Sequence, residues 1–176
     1  MATVEIPLRP LTHASFAEFG DVIEADPRSL RFINNGNTQR FHDLARIDVS
    51  AENGHPLLNI FRARPLPQPL KIRMLERHPL GSQAFIPLNQ QPFMIVVASA
   101  GDTITPDRIR AFLAHSGQGI NYHRNTWHHP VIALDTETDF IVIDRGGAGK
   151  NCEEFTFSAS INICINPTAT TGGSTH

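Results

Sequence analysis

The stretch Phe93-Met94-Ile95-Val96-Val97-Ala98 is apolar throughout, and three of its residues, Ile95, Val96 and Val97, are β-branched. β-branched residues favour strands, and a strand without polar alternation is typical of one that is covered on both faces. The stretch therefore predicts a central β-strand. It is also the longest apolar run in the chain and is far too short to span a bilayer.

Short apolar runs broken by Gly, Pro and Asn extend on both sides of this strand. This pattern is typical of an all-β sandwich or barrel. The predicted strands are Arg31–Asn34, Arg40–Val49, Leu57–Arg64, Leu70–Arg77, Gln83–Pro87, Phe93–Ser99, Ile109–Ala114, Trp127–Leu134, Phe140–Asp144 and Phe155–Phe157.

One short helix is predicted near the N-terminus, over Leu11–Gly20. Thr12 can cap its first turn, and Leu11 and Phe16 have the spacing of a hydrophobic staple. Gly20 can end it.

Length and composition restrict the class of partner. A chain of 176 residues fits one domain, expected over residues 1–166, with residues 167–176 as a disordered tail that has little to bury. Fifteen basic and 17 acidic residues provide no broad cationic field for nucleic acid or an anionic membrane. The spacing of Cys152 and Cys164 and the absence of a leader-like N-terminus predict a soluble, cytoplasmic protein. A small molecule is the expected partner.

Two segments concentrate ionisable and turn residues: Glu76-Arg77-His78-Pro79-Leu80-Gly81-Ser82-Gln83-Ala84-Phe85-Ile86-Pro87 and Asn121-Tyr122-His123-Arg124-Asn125-Thr126-Trp127-His128-His129-Pro130. Side chains alternate along a strand, so one face of the first segment's strand is expected to carry Leu70, Ile72, Met74, Glu76 and His78. A carboxylate and an imidazole that continue an apolar face need a polar cavity or a bound cation. A site is therefore predicted at the end of this strand.

In the second segment, His128 is predicted to face inward together with Pro130 and Ile132. Two imidazoles and one carboxylate from different strands can form an incomplete ligand shell around a divalent metal, with positions left for substrate. Gln83 can add an amide oxygen or an outer hydrogen bond. The alternative is ordinary hydrogen-bonded structure, because no Cys-x-x-Cys or His-Glu-x-x-His spacing is present.

These segments resemble the ureidoglycolate lyase family, and the resemblance covers residues 5 to 152 or so. It implies a cupin-like fold, which is a double-stranded β-helix or antiparallel β-barrel. It also implies a homodimer, nickel as cofactor, and elimination of urea from (S)-ureidoglycolate to give glyoxylate in allantoin breakdown. Further matching blocks are Ile33-Asn34-Asn35-Gly36, Arg40-Phe41-His42-Asp43-Leu44-Ala45, Arg110-Ala111-Phe112, Thr138-Asp139-Phe140 and Ile143-Asp144-Arg145-Gly146-Gly147.

Cupins place a His-x-His pair and a Glu on a first motif and a further His on a second. By the resemblance, Glu76 and His78 take the two His positions, Gln83 takes the Glu position and His128 takes the last. The implied metal ligands are thus Glu76, His78, His128 and Gln83. Glu76 and Gln83 depart from the usual residue types.

The implied elimination needs a base at the substrate hydroxyl, an acid at the leaving nitrogen and a positive group at the carboxylate. A divalent ion held by the catalytic candidates Glu76, His78 and His128 would polarise the hydroxyl. Without an ion, Glu76 would act as base and a protonated histidine as acid. Asp144-Arg145 is read either as a buried pair or as support for the site.

Arg124, Tyr122 and Gln83 are the candidates for substrate binding beside these groups. Arg40 and His42 either reach a neighbouring subunit's pocket or line an interface. Two other functions remain open: a different metal-dependent cupin enzyme, such as an isomerase or oxygenase, and a non-catalytic protein that binds a small acid. Release of urea and glyoxylate in equal amounts distinguishes the lyase from both.

Overall fold

Strands dominate the computed structural model of the protein, which describes residues 2–167. The one α-helix in this part of the chain is α1, His13–Phe16. The predicted disordered tail, apart from Pro167, lies outside the described residues. The strands are β1 Ala2–Glu5, β2 Leu8–Pro10, β3 Gly20–Ile23, β4 Leu30–Ile33, β5 Thr38–Phe41, β6 His55–Ala63, β7 Leu70–Ile72, β8 Met74–Arg77, β9 Gln83–Pro87, β10 Phe93–Ala98, β11 Ile109–Ala114, β12 Gly119–Tyr122, β13 Trp127–His128, β14 Ile132–Ala133, β15 Thr138–Gly146, β16 Glu153–Thr156 and β17 Ile161–Ile165.

The strand β10 lies at the centre of the fold, as its sequence predicts. It belongs to the largest sheet, whose order is β16-β8-β13-β10-β11-β2, with β14 also paired to β10. One face of β10 packs into an apolar cluster with Phe140 and Ile120 of the sheet β3-β12-β9-β15-β6. Its other face packs with Ile163 and Leu70 of the sheet β1-β17-β7. Every residue of β10 is therefore buried.

The architecture is all-β and cupin-like, as predicted. The main sheets lie face to face, and most neighbouring strands are antiparallel. The pairing over residues 2–167 does not close them into one barrel, because the strands form separate sheets. Within the same residues, no helix has the length and apolar character needed to cross a membrane.

The N-terminal helix forms where predicted but is shorter. The Thr12 side chain accepts a hydrogen bond from the Ser15 backbone, and Leu11 and Phe16 are both buried in the cluster below it. The helix ends at Phe16, and Gly20 does not cap it. Gly20 instead begins β3, where a Cβ atom would overlap the Asn121 carbonyl of the neighbouring strand.

The prediction of one strand over Arg40–Val49 was wrong. Strand β5 ends at Phe41, and the chain that follows has no regular structure up to Ser50. Partners outside any strand ladder supply its hydrogen bonds, because Arg46 N donates to the Asp21 carboxylate, Asp48 N donates to Ser82 Oγ, and His42 N donates to the Ser29 carbonyl. A segment satisfied in this way needs no neighbouring strand.

The side-chain alternation predicted across residues 70–77 was also wrong. The strand is interrupted at Arg73, since β7 pairs with β17 and β8 pairs with β16. The interruption shifts the alternation of side chains between the two faces by one residue. Leu75 therefore lies with Leu70 and Ile72 in the same buried cluster. Glu76 therefore faces away from that cluster and does not continue its apolar face.

The second segment is divided in the same manner. The predicted strand Trp127–Leu134 forms as β13 and β14, which pair with different ends of β10. His128 lies opposite Val97, whereas Ile132 lies opposite Met94, and these two β10 residues face different clusters. The predicted shared face of His128 and Ile132 is thus incorrect, although His128 does point inward.

Five strands were not predicted: β1, β2, β3, β12 and β17. The most important is β12, which carries Tyr122 into the site. Its buried Asn121 breaks the apolar pattern, and the Asn121 amide nitrogen donates to the Asp21 carboxylate and the Arg46 carbonyl. Such a partner, remote in sequence, leaves no local signal.

Candidate active site

Strand pairing brings the two polar segments together. Strands β8 and β13 pair at a single position, where Glu76 lies opposite His128. The turn before β13 then closes over the chain after β8, because Asn125 N donates to the His78 carbonyl at 3.1 Å and Arg124 Nε donates to the Pro79 carbonyl at 3.2 Å. These contacts fix His78 beside the Glu76–His128 pair.

The three predicted catalytic side chains converge. Glu76 Oε1 lies 3.6 Å from His128 Nε2 and 3.9 Å from His78 Nε2. The potential ligand atoms of the three residues all lie within 4.8 Å of one another. Glu76, His78 and His128 thus form a group that could hold a divalent metal ion.

Backbone carbonyls orient both imidazole rings. His78 Nδ1 lies 2.7 Å from the Asn151 carbonyl oxygen, and His128 Nδ1 lies 2.8 Å from that of Thr126. A carbonyl only accepts hydrogen bonds, so each Nδ1 carries the proton and, in the neutral ring, Nε2 keeps its lone pair. This is the arrangement that orients metal-binding histidines in proteins.

The donor set fits a divalent ion. Two Nε2 atoms and one carboxylate oxygen are a chemically suitable set for a borderline divalent metal. His128 Nε2 is buried and has no hydrogen-bond partner within the described residues. A buried polar atom without a partner carries a free-energy cost, which coordination to a cation would remove.

Burial and charge hold these groups in the protonation states that a cation requires. The adjacent His128 imidazole lowers the pKa of Glu76, although burial opposes this effect. Burial lowers the pKa of His128, and contact with Glu76 only partly offsets that. The 3.6 Å separation between His128 Nε2 and Glu76 Oε1 is longer than a hydrogen bond, so this contact is electrostatic. Glu76 is therefore ionised and His128 is neutral near pH 7.

Tyr122 positions His128. The two rings stack with centroids 4.2 Å apart and planes 13° from parallel. Burial, together with the nearby Glu76 charge, raises the pKa of Tyr122, so the phenol stays neutral. Its ring packs with Phe16 and Phe85, which anchor it in the core.

A cavity of about 260 Å³ opens beside His78. Gln83 lies in its wall, and Gln83 Oε1 is 3.2 Å from His78 Nε2. Three of the lining residues, Ser82, Asn151 and Cys152, were not among the predicted site residues. Asn151 and Cys152 lie in the turn that follows β15, and Ser82 lies immediately before β9. The complete lining is His78, Ser82, Gln83, Asp144, Arg145, Asn151 and Cys152.

The other predicted substrate-binding residues lie farther out. Arg124 is partly exposed, and its Nη1 lies 3.8 Å from Asp48 Oδ2. Arg40 is exposed on β5, and His42 follows the same strand. Neither Arg40 nor His42 lines the cavity beside His78, so within one chain the structure does not bring them to the cluster.

Asp144 and Arg145 do not form a buried pair with each other. The Arg145 guanidinium donates to the carbonyls of Ala51 and Ala148. The Asp144 carboxylate accepts from Asn59 and Gln83. Arg145 therefore supports the surrounding turns, whereas Asp144 contacts the site.

A cupin-like fold with two imidazoles and a carboxylate beside a polar cavity defines a class of small cupin protein with a candidate metal centre. The chain belongs to the ureidoglycolate lyase family, whose family profile matches residues 3–164. It is similar to the ureidoglycolate lyase of Brucella anthropi, at 54% identity over 86% of this chain and 89% of the relative. It is also similar to the ureidoglycolate lyases of Azotobacter vinelandii, at 53% identity over 92% and 97%, and Pseudomonas paraeruginosa, at 48% identity over 92% and 96%.

The lowered pKa of His128 predicts how stability depends on pH. Below the usual histidine pKa of 6.5, the unfolded chain binds a proton that native His128 resists. The free energy of unfolding of the metal-free protein should therefore fall as pH decreases from about 7 to about 5, by at most about 1.4 kcal/mol per pH unit for this group. Glu76 contributes with the same sign, but its contribution is lost only as the pH falls below about 4.5, which lies outside this range.

Urea denaturation of wild type and His128→Gln across this range measures the effect. The variant should show a shallower dependence of unfolding free energy on pH. The pKa of His129 is also lowered by burial, so His129→Gln should likewise show a shallower pH dependence. Identical slopes in all three proteins would contradict the assigned protonation state.

Proposed function

We propose that this protein is a ureidoglycolate lyase that eliminates urea from (S)-ureidoglycolate to give glyoxylate. The observation that carries the proposal is the convergence of Glu76, His78 and His128 beside a polar cavity in a chain of this family. In the reaction the hydroxyl proton leaves, a C=O bond forms and the C–N bond breaks. The departing nitrogen gains a proton, so no water is consumed.

We further propose that Glu76, His78 and His128 hold a divalent ion, with nickel as the metal. When bound, the ion would act as a Lewis acid that lowers the pKa of the substrate hydroxyl. The protein supplies an ionised carboxylate and a buried neutral imidazole, and it orients both rings through backbone carbonyls. Gln83 contributes an amide oxygen at the same end of the cavity.

The same side chains also meet the needs of the elimination by proton transfer alone. Ionised Glu76 can accept the hydroxyl proton. Buried His128 is neutral, so it does not serve as the proton donor. His78 lines the cavity and faces the space that substrate would occupy, which makes it the acid in this form of the reaction.

Substrate orientation is assigned to Arg124, Gln83 and Tyr122. Arg124 is held by the Pro79 carbonyl next to His78, and its guanidinium suits a carboxylate. Gln83 can hydrogen-bond the urea group. Tyr122 acts mainly through His128, against which its ring is stacked.

Substitution of His78 by alanine should lower kcat for glyoxylate release at least about 100-fold, because both forms of the reaction depend on this ring. The measurement is a coupled assay that quantifies urea and glyoxylate together, which should appear in equal amounts with wild type. His115→Ala is the matched control, because His115 is exposed and lies at the far end of β11 from the cluster. Activity of His78→Ala close to that of the control would disprove the role of His78.

Removal of metal should abolish most of the activity, and nickel should restore more of it than zinc or magnesium. The reason is that His128 Nε2 and His78 Nε2 are suitable ligands for a borderline divalent ion. Turnover is measured in wild type before chelation, after chelation and after each ion is added back. Full activity in protein shown to be free of metal would leave only the proton-transfer form of the reaction.

We propose that the protein works in the cytoplasm as part of allantoin breakdown. Its cysteines support a reducing compartment, because Cys152 and Cys164 are both free thiols.

We also propose that the protein is a homodimer. Large apolar side chains are exposed on two strands, including Phe32 on β4 and Leu58 and Ile60 on β6. The strand β6 is also an edge strand, which favours pairing or coverage by another chain. The β4–β5 hairpin would bring Arg40 and His42 to this interface.

Sedimentation velocity of the wild-type protein should show a dimer. Leu58→Lys should shift it toward monomer, because a charge would replace a large apolar contact. Leu88→Lys, an equal change at an exposed position outside β4 and β6, should leave the dimer intact. A wild-type monomer, or equal effects of the two substitutions, would refute this interface.

A further inference from the structure

We infer that Asp144 is a positioning residue that holds the Gln83 side-chain amide with its oxygen, and not its nitrogen, toward His78. The amide oxygen of Gln83 is then available as a potential metal ligand beside Glu76, His78 and His128. The inference rests on the proposed function, since it assigns how this chain completes the same site.

The hydrogen bonds of Gln83 fix the orientation of its side-chain amide. Its amide is almost fully buried, Nε2 lies 3.3 Å from Asp144 Oδ2, and Oε1 lies 3.2 Å from His78 Nε2. A carboxylate only accepts hydrogen bonds, so the amide nitrogen must face Asp144. The amide oxygen must then face His78.

The Asp144 carboxylate is itself held in place by a second donor. Its other oxygen, Oδ1, accepts a hydrogen bond from Asn59 Nδ2 at 3.0 Å. Asn59 and Asp144 lie on the paired strands β6 and β15, where Asn59 is opposite Val142 and Asp144 is opposite Leu57. Both oxygens of the Asp144 carboxylate thus accept hydrogen bonds. Because the carboxylate offers only acceptors, the Gln83 amide oxygen cannot take the position of its nitrogen beside Oδ2.

This orientation of Gln83 leaves the Nε2 atom of His78 without a hydrogen-bond donor from the amide. His78 Nδ1 donates to the Asn151 carbonyl, so in a neutral ring the Nε2 lone pair points toward the Gln83 oxygen. Two acceptor atoms 3.2 Å apart are stable only with a proton or a cation between or beside them. With the amide reversed, its nitrogen would donate to Nε2 and block that lone pair.

Asp144→Asn reverses the polarity of this arrangement. Asn59 still requires an acceptor, so the new amide would turn its nitrogen toward Gln83. Gln83 would respond by turning its oxygen toward residue 144 and its nitrogen toward His78. The double substitution Gln83→Glu with Asp144→Asn restores an oxygen facing His78, while all three side chains remain hydrogen-bonded.

The test uses the metal-free full-length protein and two readouts. Proton NMR of the Gln83 side-chain amide should show cross-peaks to the Asn59 amide protons in wild type and to the His78 ring protons in Asp144→Asn. Calorimetric titration with nickel chloride alone should show affinity at least about 10-fold weaker in Asp144→Asn, a loss typical when a partner of a ligand is removed. The double variant should bind nickel with an affinity no more than about threefold weaker than that of wild type.

Asp139→Asn is the control, because Asp139 lies on the same strand but pairs with Arg62 at the surface. It should change neither readout.

If the Gln83 amide does not turn in folded Asp144→Asn, or the double variant binds as weakly as the single one, the inference is wrong. If Asp144→Asn does not fold, the wild-type cross-peaks decide, since contact of the Gln83 amide protons with the His78 ring would overturn it. Failure of the proposed function would appear separately, as wild type that binds nickel but releases no urea.

Discussion

The pairing of Glu76 with His128 across strands β8 and β13 is the contact on which the site depends. It places a carboxylate against a fully buried imidazole in the middle of an apolar fold. The arrangement is costly because a partly buried carboxylate and a buried imidazole both lose water. The sequence retains it beside a cavity, which is the expected place for a group kept for chemistry instead of stability.

The surrounding structure removes freedom from each of these side chains. Tyr122 stacks on His128, the Thr126 and Asn151 carbonyls set the two ring orientations, and the turn before β13 closes over His78. A binding group whose neighbours fix its rotamer needs little rearrangement when a cation or substrate arrives. The family's small fold can therefore build a preorganised centre from two short segments.

The central strand and the all-β class were predictable from sequence because they depend on apolar runs. Glu76, His78 and His128 were candidates because they stand in two local motifs, whereas their convergence depends on the pairing of β8 with β13. The face of the sheet on which each side chain lies was not predictable. One interruption at Arg73 and another between β13 and β14 each shift the alternation of side chains by one residue. Glu76 and His128 meet despite incorrect parity arguments. Residues that depend on long-range partners, such as Asn151 at the cavity wall, give no signal in the sequence around them.

The most direct test is a crystal structure of the nickel-loaded protein with diffraction data collected on both sides of the nickel absorption edge. The account predicts one strong anomalous peak per chain, bounded by Glu76 Oε1, His78 Nε2 and His128 Nε2. A peak at another place, or electron density in which these three side chains point away from one another, would contradict it.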